Sequence, residues 1–424
     1  MSDPMEAVRR LVELSHRARP EDLPAALLAV APLLDARLVA FYLVDYEQTT
    51  LRPLRSGRRT DTPSVPVDGT PAGEAFSTVR PVTDHDGLDH HLWLPLLNGA
   101  ERLGVLHVVS AEPLGRRAVR DLHAVAAVVA ELVASRRRYG DAVEHTRRRL
   151  PMQLAAEIIW NQLPPLTFAT HDTVVTAVLE PCYDVGGDAF DYAVNDDVLH
   201  VAMFDTVGHG ISASALTTLA VNCYRNARRC GLGLADTYAS IDKWIRAQYQ
   251  GSFVTAIMAE LNTTTGDYRR ICAGHPPELL LRGGRLLRQL DGPTALPLGL
   301  ASMRSRPPVV AAESLAPGDS ILIFTDGVIE ARDSDGDFFG VDRLTELITT
   351  ELAVQAPAAE TMRRMVHAIL HHQHDELQDD ATAALLQWRP AAQSAPVPGP
   401  RAIPSTTVGS AGWSGRTVDG AAFR

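Results

Sequence analysis

The 424-residue sequence predicts an α+β chain of more than one domain. Three observations carry this. The length accommodates two to three domains of ordinary size, and 46% hydrophobic content is enough for real cores. Short apolar runs bounded by turn residues alternate with longer helical patterns in both halves. In the second half those runs end in aspartate and a glycine-bearing turn, as after Phe204 and Phe324.

In chain order, residues 1–19 set Val8, Leu11, Val12 and Leu14 among charges, the pattern of a short amphipathic helix. A second helix is expected over 23–34 and a strand over 38–44. Runs at 92–97 and 103–109 read as paired strands around Asn98-Gly99-Ala100. A helix over 118–138 closes the unit. His85, His90 and His91 lie among Asp84, Asp86 and Asp89, but nothing in a polar loop fixes ligand geometry, so they read as solvated.

Arg136-Arg137-Arg138 and Arg147-Arg148-Arg149 flank Asp141 and Glu144, which reads as a helical, charge-rich connector rather than a nucleic-acid site. Pro151 suits the first turn of a further helix, and Pro164-Pro165 ends it near Leu163. Leu154, Ile158 and Leu163 would pack there, where an upstream domain could push on the downstream one.

The stretch 183–214, YDVGGDAFDYAVNDDVLHVAMFDTVGHGISAS, holds two carboxylate-bearing turns. Asp188 follows Gly186-Gly187, and Asp191 lies one helical turn or one strand step later. Residues 198–204 read as a strand that delivers Asp205 at its end. Residues 321–328 repeat the pattern of apolar strand, Asp326 and Gly327, and Asp379-Asp380 precedes the apolar 383–386. One Asp-Gly alone is an ordinary turn; four acidic turns at strand ends are the oxygen donors that hard divalent ions require. A long helix is expected over 212–229 and a strand over 253–259.

A net charge of -11 argues against general binding of nucleic acid or anionic membranes. Cys182, Cys223, Cys230 and Cys272 show no C-x-x-C spacing and fit a reduced, cytoplasmic compartment. The longest apolar run near a helix, 124–130, is cut by Glu131, so no membrane span is expected. The tail 390–424, rich in Pro, Gly, Ser and Ala, is expected to be disordered.

VGGDAFD, FDTVGHG, AGHPP (273–277), PLG (297–299), PGDSILIFTDGVIEAR (317–332), FG (339–340) and DDAT (379–382) occur in one order. In that order they resemble bacterial metal-dependent serine/threonine protein phosphatases of the SpoIIE and RsbU type, over about 150–388. The resemblance implies an α-β-β-α sandwich carrying two Mn²⁺ or Mg²⁺ ions. It further implies Asp205 as bridging ligand, Asp326 and Asp379 on one ion, Asp188 on the other, and a backbone carbonyl ligand from Thr206. Asp205 and Asp326 are the residues expected to matter most for catalysis. Asp380 and Asp191 rank below as supporting or capping groups, and His209 as a general acid or a turn residue.

The order of elements before residue 135 resembles a GAF domain; a dimerising or structural module, giving a homodimer, weighs at least as much as a ligand sensor. The expected organisation is a GAF-like unit over 1–135, a helical linker over 136–163, a phosphatase domain over 164–389 and the tail. The implied function is hydrolysis of phosphoserine or phosphothreonine on a regulatory protein, of the anti-sigma-factor antagonist type, by a metal-activated water. The alternatives are a phosphatase fold that only binds its partner and a two-metal nuclease. All four acids are present, against the first, and the chain offers no basic groove with interleaved aromatics, against the second.

Overall fold

Alternation along single strands builds the first layer. In the computed structural model, which describes residues 4–54, 62–303, 307–374 and 379–390, both faces of β1 (Leu38–Val44) are buried. Val39, Phe41 and Leu43 lie on one, Tyr42 and Val44 on the other. A sheet apolar on both faces must be covered on both. Helices α1 (Pro4–Ser15), α2 (Leu23–Val30) and α4 (Arg116–Arg136) cover the first and α3 (Pro71–Thr78) the second. The other strands are β2 (Thr50–Pro53), β3 (Val65–Pro66), β4 (Val82–His85), β5 (His90–Asn98) and β6 (Glu101–Ser110). The antiparallel order is β3-β2-β1-β6-β5-β4. The expected hairpin is there, turning at Gly99 with φ +59.

The connector expected as one helical segment over 136–163 is broken. After α4 come a 3-10 turn at Arg137–Tyr139, extended Gly140, α5 (Ala142–Arg147), a non-helical stretch through Pro151 and α6 (Leu154–Trp160). Pro151 lies before the helix, not in its first turn. Arg147 is drawn inward, its guanidinium 4.4 Å from the Tyr46 ring centroid and donating to the Val44 carbonyl, and the Tyr183 hydroxyl accepts from the Arg149 backbone N–H, while the Arg138 and Arg149 side chains stay exposed. Glycine and proline thus divide the segment while the arginines anchor its pieces. Within α6, Ala155, Ala156 and Ile159 are buried and Leu154 is 58% exposed, so the packed stripe is one residue out of step with the expected one.

Beyond residue 165 two sheets face each other. The first contains β9 (Asp188–Asn195), β10 (Val198–Thr206), β11 (Val254–Asn262), β12 (Asp267–Ala273), β15 (Thr294–Ala295) and β16 (Ala311–Ser314), in the order β15-β12-β11-β10-β9 with β16 also on β12. The second contains β7 (Thr167–Ala169), β8 (Thr173–Glu180), β13 (Leu279–Arg282), β14 (Arg285–Gln289), β17 (Ser320–Phe324) and β18 (Ala381–Trp388), in the order β14-β13-β17-β18-β8-β7. Phe190, Val201, Met203, Ile257, Ile323 and Leu386 meet between them. Outside the first sheet, α7 (Ile211–Arg229) and α8 (Leu234–Gln248) cover Phe204, Ala256 and Met258. Outside the second, α9 (Asp326–Ile329), α10 (Gly340–Ala353) and α11 (Ala358–His372) cover Leu322, Phe324 and Leu385. This is the α-β-β-α sandwich expected from the motifs.

The described residues belong to one compact unit. Among them no helix is long and apolar enough to cross a membrane. The tail expected over 390–424 lies, past its first residue, outside the described residues.

Candidate metal centre

The parity of each strand decides where its acid points. On β10, Leu199, Val201 and Met203 face the second sheet, so by alternation Asp205 keeps that facing near the strand's end. Asp188 shares the parity of Phe190 and Tyr192 on β9 and is the direct cross-strand partner of Asp205. On the other side Asp205 pairs with Thr255 of β11. Thr206 has the opposite parity: its hydroxyl lies 2.7 Å from Thr217 of α7, its N–H donates to the Gly187 carbonyl at 3.2 Å, and its own carbonyl oxygen lies beside Gly187.

The second sheet's connections add Asp326, separated by one residue from β17 at the start of α9, and Asp379-Asp380, directly before β18. Asp380 fastens the two sheets together. Its Oδ2 accepts from the backbone N–H groups of Gly186 at 3.0 Å, Gly187 at 2.7 Å and Asp188 at 3.2 Å. The Thr325 hydroxyl donates to Asp188 Oδ2 at 2.8 Å. Gly187 is obligatory, because a Cβ there would come within 2.8 Å of the Thr206 carbonyl oxygen and 3.5 Å of Asp380 Oδ2. At Gly327 a Cβ would overlap the Asp380 carbonyl.

The electrostatics are those of like charges held together. Burial, then Asp205 and Asp380, raises Asp188 well above the carboxylate range. Burial, then Asp326, Asp379 and Asp380, pushes Asp205 up to about 7. Asp326 is raised by burial, then by Asp379 and Glu330. Asp380 is raised by burial, which outweighs its three backbone donors. Such carboxylates lack a counter-charge, and oxygen donors of this kind suit a hard divalent cation. Among the described residues, however, no three His, Cys, Asp or Glu side chains close into a group that could hold an ion as they stand.

All of the sequence-predicted residues Asp188, Asp205, Thr206, Asp326 and Asp379 thus lie at one end of the sandwich. Asp191 lies elsewhere: it sits within β9 and pairs with Arg225 and Arg228 of α7, both at 2.7 Å. His209 is exposed between Gly208 and Gly210, whose φ values are +94 and +76. Asp380 takes the capping place expected of it, whereas sequence reasoning passed over Thr325, whose signal was its place between strand and aspartate.

Residues 195–389 match the family model described as Stage II sporulation protein E (SpoIIE). Asp188 lies outside the matched span. Protein IcfG of Synechocystis sp. is 22% identical over 270 residues, covering 57% of this chain and 42% of that protein. Phosphoserine phosphatase RsbU of Bacillus subtilis is 23% identical over 218 residues, covering 50% and 62%. The chain therefore spans less than two thirds of the length of either curated relative. A solved structure of the RsbU and RsbW domains of a Mycobacterium tuberculosis protein is 25% identical, covering 52% and 62%, with a TM-score of 0.46.

Proposed function

We propose, from the match of residues 195–389 to the SpoIIE family model, that this chain hydrolyses phosphoserine or phosphothreonine on a regulatory protein. The observation that carries the reading is the set of carboxylates from two facing sheets, raised by burial and by one another. Asp205, Asp326 and Asp379 would hold one divalent ion, and Asp188 with the Thr206 carbonyl would serve a second, Asp205 being shared. Mn²⁺ and Mg²⁺ both fit oxygen donors, and when bound such ions acidify water and polarise phosphoryl oxygens. Asp380 and Thr325 would keep the turn before β9 and the Asp188 carboxylate in place during turnover. A substrate would approach over Val207, His209 and Ile211, exposed beside Asp205, which suits a phosphorylated side chain presented by a protein.

The curated RsbU relative is named a phosphoserine phosphatase, which supports phosphoserine as the group attacked; a substrate protein of the anti-sigma-factor antagonist type and a cytoplasmic setting are part of the proposal. The division at 135 and 163, and a GAF-like regulatory role for the first part, belong to the same proposal. What supports coupling between the parts is the buried contact of Arg102 with Glu360, which joins the N-terminal sheet to the helix preceding Asp379.

The test is phosphate release from a phosphoserine protein with Mn²⁺ present. Wild type should turn over, while Asp205→Asn should fold normally and lose more than about 100-fold, beyond what loss of an outer partner costs. A wild type that binds the phosphoprotein without releasing phosphate would favour the binding module instead.

A further inference from the structure

The AGHPP turn places a histidine into the wall of the acid cluster. His275 follows β12 and is 5% exposed. Its backbone is set by its neighbours: Gly274 takes φ +69, where a Cβ would come within 2.6 Å of Pro297, and the Cys272 thiol donates to the His275 carbonyl at 3.1 Å. The imidazole therefore turns inward. Its Nδ1 lies 2.9 Å from Thr255 Oγ1, and Thr255 Oγ1 lies 3.4 Å from Oδ2 of Asp205, long for a bond between oxygens but directly across the β10–β11 ladder. The other ring nitrogen, Nε2, is buried with no hydrogen-bond partner.

Proton counting gives this chain a direction. The Thr255 hydroxyl has one proton to donate. If Nδ1 carries the ring proton and donates to Oγ1, the hydroxyl is free to donate to Asp205. If Nε2 carries it instead, the hydroxyl donates to Nδ1, and an oxygen lone pair faces the carboxylate. Burial, only partly opposed by the Phe324 backbone carbonyl, pushes His275 down to about 3, so the ring is neutral and holds a single proton.

We propose that His275, as the Nδ1–H tautomer, and Thr255 are positioning residues that fix one oxygen of Asp205 so that the other is presented to a divalent ion. This rests on the reading of Asp205 as an ion ligand. Like-charged neighbours push on that carboxylate, and a charge-assisted hydrogen bond from a strand-held hydroxyl opposes them. Outer partners of this kind commonly change metal affinity by about 10- to 100-fold.

The experiment titrates Mn²⁺ into the full chain by calorimetry and reads the ring tautomer by ¹⁵N NMR. Thr255→Val should weaken binding about tenfold, and Thr255→Ser should recover most of it. His275→Asn, whose amide nitrogen can occupy the place of Nδ1, should bind more tightly than His275→Gln. Thr255→Val combined with His275→Gln should be no worse than Thr255→Val alone, since both break one chain; a structural role would instead let the losses multiply. Should Thr255→Val not fold, the comparison of Asn with Gln at 275 decides alone. Wild-type affinity in Thr255→Val, multiplying losses, equal binding by Asn and Gln, or an Nε2–H tautomer each overturns the proposal. A wild type that binds no Mn²⁺ removes the reading of Asp205 as well, which separates the two failures.

Discussion

His107 ties the stability of the N-terminal sheet to pH through a single ring. It is 8% exposed, stacks on Trp93 with centroids 3.8 Å apart and 3° between planes, and lies 2.9 Å from Nδ1 of His91. Burial, then His91, pushes it down to about 4 from 6.5. A folded pKa below the unfolded one means stability is complete above pH 6.5 and is lost as pH falls through 4. The loss should be on the order of 3 kcal/mol, at about 1.36 kcal/mol per unit. Melting temperature should fall more steeply from pH 6.5 to 4 in the wild type than in His107→Gln; parallel curves would contradict this. His91 and His107 lie on paired strands, so their contact could not be read from a string in which His91 stands among aspartates. The capping role of Asp380 could be read, but its partners could not, for a related reason. Adjacent to Asp379, it differs only in which way β18 turns it, and its three donors lie some 190 residues away.

At the scale of elements, α11 is where the N-terminal sheet grips the sandwich. Glu360 in its first turn meets Arg102 of β6 at 3.1 Å, Arg363 at 2.8 Å and Arg364 at 3.1 Å, and Arg363 reaches Asp68 at 2.7 Å. Arg102 also donates to Gln48 and to the Ala359 carbonyl and lies over the Phe76 ring. Removing one partner of a buried pair costs about 3–5 kcal/mol, whereas replacing both by apolar groups is often neutral. Glu360→Leu should therefore lower the unfolding free energy by an amount of that size, and adding Arg102→Met should recover only the share that Arg102 carries, since Arg363 still lacks Glu360. If the double variant is as unstable as the sum of the two singles, the pair is not coupled. The connector 136–163 was read as the route between the two parts because its charges suggested a helix. Gly140 and Pro151 break that helix, and one contact that joins the parts, Arg102 with Glu360, spans 258 residues, a separation no local pattern can register.

For the whole molecule, two sheets buried on both faces explain why strand positions were legible and strand facings were not. In 198–204 nearly every residue is apolar, so the period-two signal that would show which way Asp205 points is absent. What could be read was the acid at each strand end; that the four ends meet follows only from the packing of one sheet on the other. Between the sheets the core is apolar, and at one end it gives way to Asp188, Asp205, Asp326 and Asp379. The central claim is that this end works only with divalent ions in it. Its most direct measurement is phosphate release from a phosphoserine protein by the full chain after exhaustive chelation and again after Mn²⁺ is restored. The account predicts release that falls to background and returns in the wild type but not in Asp326→Asn. Release that survives chelation, or returns in full in that variant, would contradict it.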